Sequence, residues 1–174
     1  IYTSGHTASM PQLVYVPMIN EWGTGPPLPI RLSLPGGQLP SAIAAARHDT
    51  STGGNLYGTT DLYAISGDTL YRFPVDEQYD GAEAKALVSN SFLSSTTTLL
   101  SMTWQGVTTL WGRNGSNEVY YLSCMTSQAA EPGSWSTPVP ILTGVEHIAA
   151  YMNRADGGNT IFAVSGQKLY RLIQ

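Results

Sequence analysis

The sequence predicts an all-β protein made of four-stranded antiparallel units, the blades of a β-propeller, and three observations carry that prediction. A hairpin-shaped segment recurs about every 50 residues, a period expected of propeller blades and related arrays. A run of small and apolar residues precedes each copy. A proline-bearing segment follows the hairpin, most clearly at Ser134–Leu142.

The hairpins come first because their register is gapless. Asp61–Phe73 (DLYAISGDTLYRF) lies on Thr160–Leu172 (TIFAVSGQKLYRL), sharing Ala, Ser-Gly and Leu-Tyr-Arg, so that Arg72 and Arg171 occupy one place. Thr109–Leu122 (TLWGRNGSNEVYYL) has the same shape with one extra turn residue. In each, runs rich in Val, Ile, Tyr and Trp flank Gly or Asn, which supply the positive φ that a tight turn needs.

The preceding runs, 42–46, 99–104 and 147–151, are read as innermost strands. Blades converge on an axis, and small side chains fit the taper. The following segment suits an outer edge strand. There a proline leaves no ladder bond unmade and discourages edge-to-edge pairing. Glu21–Ile30 echoes Ser134–Leu142 in carrying Trp and several prolines. Only residues 82–88 have weakly helical composition.

The chain is therefore expected to be a single repeat domain: a partial blade at 12–34 (third and fourth strands), full blades at 42–88 and 98–142, and an incomplete blade at 145–174. That is about three and a quarter blades where rings typically hold four to eight, so a second copy or the remaining part of a larger propeller is expected to complete it. A start at Ile1 rather than Met suggests removal of a leader, tag or larger N-terminal portion. A β-trefoil, with three repeats of similar length, is the alternative fold.

The small-apolar strand, then TTLWGRNGSNEVYYLSC, then SWSTPVPIL, resembles the repeats of sugar-binding propellers of the tachylectin and fungal fucose-lectin kind. The resemblance runs from about Leu13 to Leu172. It implies a propeller that binds glycans or glycoproteins, for which an extracellular setting is suited.

Composition narrows the function. Eight basic residues against 12 acidic give a net charge of −4, so no basic footprint for nucleic acid exists. No apolar run approaches the ~20 residues of a membrane-spanning helix, and no membrane insertion is expected. Cys124 is the single cysteine and is read as a buried structural thiol rather than a nucleophile.

His6, His48 and His147 are scattered without ligand spacing, so neither metal nor cofactor is expected. His48, Asp49 and Ser51 have triad residue types without a nucleophile elbow. Asp61, Asp76, Asp80 and Asp156 are read as turn residues rather than paired catalytic carboxylates, and 76–81 as an acidic loop rather than a calcium site. No catalytic residue is assigned.

Binding chemistry has more material. Ten Tyr and four Trp accompany arginines repeated in register. A pyranose packs its apolar face on an aromatic ring while Arg or Asn bonds its hydroxyls. The candidate ligand-binding residues are Trp104, Arg113, Asn114, Tyr121 and Trp135 in the central blade, with Arg47 and Arg154 following equivalent innermost strands. Trp111 reads as core or site, and a protein-interaction scaffold is the competing function.

Overall fold

The computed structural model describes residues 2–7, 10–15, 18–19, 23–24, 28–30, 34–47, 60–75, 84–153 and 158–173, with side chains described within 34–46, 61–73, 84–151 and 160–172. Three of its sheets hold the residues that the function turns on.

The N-terminal sheet joins β1 (Tyr2–Thr7), β2 (Met10–Tyr15) and β5 (Leu28–Ile30) in that order, beside a two-stranded ribbon of β3 (Met18–Ile19) and β4 (Gly23–Thr24). Here the expected start of the first blade is corrected. A strand precedes the Gln12 segment, pairing Tyr2 with Tyr15 through Thr7 with Met10. Thr, Ser, Gly and His fill that strand, so it has none of the apolar alternation by which a strand is recognised. Trp22 lies outside the described residues.

The second sheet has order β6 (Ala42–Arg47), β7 (Thr60–Ser66), β8 (Thr69–Val75), β9 (Lys85–Ser89). The third has order β10 (Thr96–Trp104), β11 (Val107–Asn114), β12 (Val119–Met125), β13 (Val139–Leu142). Each is a four-stranded antiparallel meander. The stretch at 82–88 that composition made weakly helical contributes β9, because pairing with β8 outweighs a local preference. Pro140 sits in outer strand β13, where its missing donor costs nothing.

The last sheet has order β14 (His147–Asn153), β15 (Gly158–Ser165), β16 (Lys168–Ile173), three strands among the described residues. The turns obey the repeat. Gly67 and Gly166 take φ of +58° and +57°, and in the central hairpin the extra residue Asn117 takes φ +62°. Asn tolerates that region better than other residues with a Cβ.

Innermost strand β10 lies against β6 on one side and β14 on the other, and Ser101 Oγ donates to the Ala45 carbonyl across the first contact. Alternation along each strand then sends one set of side chains to each neighbour. From the third sheet, Leu110, Tyr120, Leu122 and Cys124 join Ala42, Ala46, Tyr63, Ile65 and Leu70 of the second. From its opposite face, Met102, Trp111 and Val119 join Ile161 and Ala163 of the fourth. Among the described residues the third sheet thus packs through two seams, one on each face, rather than into one central cluster.

Asp61, expected in a turn, is instead inside β7 and buried. Its carboxylate meets Arg72 Nη2 at 2.6 Å on the same face. The pairing Tyr63 with Arg72 places the two charges diagonally across neighbouring strands, a relation that linear spacing conceals.

Candidate functional site

The first seam, between the second and third sheets, is closed. Trp135 packs edge-on against Tyr63, ring centroids 5.3 Å apart at 71°, and donates its Nε1–H to the Ala129 carbonyl at 3.2 Å. Phe92 meets Tyr120 edge-on at 5.4 Å, and Tyr120 Oη shares a 2.6 Å hydrogen bond with Thr96 Oγ1. Tyr120 can lie flat there because position 112 is glycine. A Cβ on Gly112 would stand 2.1 Å from Tyr120 Cζ.

Burial governs the ionisable groups of this seam. It pushes the Tyr120 phenol up to about 12, opposed by the Thr96 bond. It raises Tyr63 further still, with the Asp61 carboxylate adding to the effect. The Cys124 thiol is pushed up to about 12, again by burial first and by Asp61 second. A neutral thiol in this setting is a packing group.

The second seam, between the third and fourth sheets, differs. Register puts Leu100, Met102 and Trp104 of β10, Thr109, Trp111 and Arg113 of β11, and Val119 and Tyr121 of β12 on one face. The Trp111 and Tyr121 rings meet at a tilt, with centroids 5.4 Å apart and planes at 36°. Four enclosed donors on this face have no hydrogen-bond partner among the described residues: Trp104 Nε1, Thr109 Oγ1, Trp111 Nε1 and Arg113 Nε. Leaving such groups unmet costs about 1–3 kcal/mol each, so their concentration on one face is informative.

The central hairpin turn fixes the end of this seam. Asn114 Oδ1 accepts from the backbone N–H of Ser116 and of Glu118 at 3.0 and 2.9 Å, and Asn114 Nδ2 donates to Glu118 Oε2 at 2.8 Å. Arg113 Nη1 donates to Asn117 Oδ1 at 2.7 Å. The guanidinium is therefore held at the seam mouth by a turn whose own polar groups are satisfied.

The structure brings together some of the expected residues and separates others. Arg113, Asn114 and Tyr121 gather at the hairpin end of the third sheet, with Asn114 buried as the organiser of the turn. Trp104 shares their face but stands six residues along β10 from the partner of Arg113, roughly 20 Å away. Trp135 is buried in the first seam, on the opposite face. Arg47 ends β6, with only its backbone described, and Arg154 lies outside the described residues, as do His48, Asp49, Asp76, Asp80 and Asp156. Among the described residues no group of His, Cys, Asp or Glu could hold a metal. Sequence reasoning missed Thr109 and the Asp61–Arg72 pair, since only the register of the sheets shows what they face.

Stacked four-stranded antiparallel sheets with innermost strands side by side define a partial β-propeller, and the comparisons agree. The chain is similar to a fungal lectin, that of Aleuria aurantia, described as a six-bladed β-propeller with a novel fucose recognition mode. The TM-score is 0.50 at 13% identity, over 99% of this chain and 55% of that one. The chain thus spans about half the length of that lectin. No family model matches the chain, and no curated protein matches it in sequence. No helix among the described residues is long and apolar enough to cross a membrane.

Proposed function

We propose that the chain is a lectin-like carbohydrate-binding module whose shallow sites lie in the grooves between blades, and that it binds without catalysing a reaction. The observation that carries this is the face of the third sheet at the second seam. There Arg113 is anchored at the mouth, the half-buried Tyr121 ring lies tilted against the buried Trp111, and among the described residues Arg113 Nε and Trp111 Nε1 are donors without acceptors.

A sugar complements that set. Its hydroxyl oxygens accept from N–H groups, and its C–H face packs on aromatic surface. Repeated weak grooves gain strength from multivalent glycans. The propeller-lectin likeness supports the reading at the level of fold, since propellers host unrelated functions.

A broad glycan array probed with the labelled chain tests it, followed by titration of the free sugar from any positive spot. The expected result is binding that Arg113→Ala removes while the melting temperature holds. An array blank under conditions that capture weak binders would sink the proposal and favour a protein-interaction scaffold.

A further inference from the structure

The successive repeats present equivalent positions to the sheet that follows, and among the described residues the last set is the one left partly exposed. Register equates Leu70, Val119 and Leu169 on the third strands, Tyr63, Trp111 and Phe162 on the second strands, and Ala46, Met102 and Tyr151 on the innermost strands. In the second and third sheets all six are buried. In the fourth, Leu169 is 68% and Tyr151 57% exposed, and Phe162 and Val164 are half-buried.

We propose that this face of β14–β16 docks a second copy of the chain, one of whose sheets stacks on it as the third stacks on the second and the fourth on the third. Continuity with those two interfaces carries the proposal. Leu70 and Leu169 are the same residue at the same repeat position. One is fully enclosed by the next sheet and the other stands in the open. A single exposed leucine means little, but a register-matched row of leucine, tyrosine, phenylalanine and valine marks a surface shaped for association.

The covering surface is also of a known kind. Leu110, Tyr120 and Leu122 cover the second sheet, and their repeat equivalents Ile161, Tyr170 and Leu172 cover the third. In a second copy both of those surfaces are already enclosed by its own neighbouring sheets, so the incoming sheet is its N-terminal one, β1–β2–β5, which precedes them in chain order. Arg171 sits where Arg72 meets Asp61, but the equivalent of Asp61 is Thr160, so an exposed cation borders the apolar row and favours an acidic group on the incoming copy. The proposal does not depend on glycan binding.

Light scattering of the 174-residue chain across micromolar concentrations tests it. The expected mass is twice the 18.7 kDa of one chain. Leu169→Asp and Tyr151→Lys should each return it to the single-chain value with an unchanged circular dichroism spectrum, because both side chains are exposed within one copy. Leu169→Met should keep the doubled mass. A wild-type chain that stays at the single-chain mass, or a Leu169→Asp chain that keeps the doubled one, overturns the proposal. So does a monomer whose glycan binding is lost in Tyr151→Lys, which would give the face to sugar instead.

Discussion

The two seams on either side of the third sheet are built by the same strands and solve opposite problems. In the first, most side-chain polar groups find partners within the fold: Asp61 with Arg72 Nη2, Tyr120 with Thr96, and Trp135 with the Ala129 carbonyl, while Arg72 Nε alone among its enclosed donors has no partner among the described residues. In the second, Trp104, Trp111, Arg113 and Thr109 leave four enclosed donors without a partner among the described residues. The difference teaches that two interfaces of one repeat can differ in how far their polar groups are satisfied, which is what the proposed division between stability and recognition requires. Alternation along a single strand is enough to separate the two tasks. Leu110 serves the first seam and its neighbour Trp111 the second.

The largest break in this contrast is expected from Asp61→Ala. It leaves the Arg72 guanidinium enclosed without its counter-charge, which costs about 3 kcal/mol, readable as a lower denaturant midpoint. Glycan affinity per folded molecule should be unchanged. Gly112→Ala comes next, because the added Cβ displaces the Tyr120 ring and its bond to Thr96. A loss of about 2 kcal/mol is expected, and pairing it with Tyr120→Leu should recover part of it.

Substitutions in the second seam should act the other way round. Arg113→Ala and Tyr121→Ala are expected to weaken sugar binding about tenfold each, equivalent to ~1.4 kcal/mol, with stability shifts of less than about 0.5 kcal/mol for Arg113→Ala. Calorimetric titration beside thermal melts separates the two effects. A variant that lost stability and binding together would erase the division of labour between the seams.

A separate effect is an alkaline one confined to the first seam. The Cys124 thiol is raised in the folded state from 9.0 to about 12, and Tyr120 from 10.0 to about 12. The unfolded chain therefore releases these protons first as pH rises. Their contribution to stability is whole below pH 9 and is lost progressively between there and 12. Urea midpoints should fall over that range, and Cys124→Ala should blunt the fall at its lower end.

Much of this fold was legible because hairpins announce themselves locally. Ser-Gly-Asp and Ser-Gly-Gln between alternating apolar runs encode both the turn and the register, and Gly67 and Gly166 adopt the positive φ that they imply. The strand β1 was not legible, since a polar strand is defined by its partner rather than its own pattern. Asp61 was misread for a related reason: its partner lies 11 residues away and across a strand. At the candidate site, the hairpin spacing put Arg113 and Tyr121 on neighbouring strands, where they stand diagonally, Arg113 opposite Val119 and Tyr121 opposite Trp111. The separation of Trp104 from Trp135 did not follow from spacing, because it depends on which face each presents, and a loop of irregular backbone precedes Trp135.

The central claim is that the second seam recognises sugar and the first does not, and the indole N–H resonances report on both at once. In a nitrogen-correlated spectrum of the chain, assigned through single Trp→Phe variants, titration with an array-positive sugar should move the Trp111 signal. The Trp135 signal, bonded to Ala129 in the first seam, should stay in place. Movement of Trp135 with Trp111 unmoved would contradict the account.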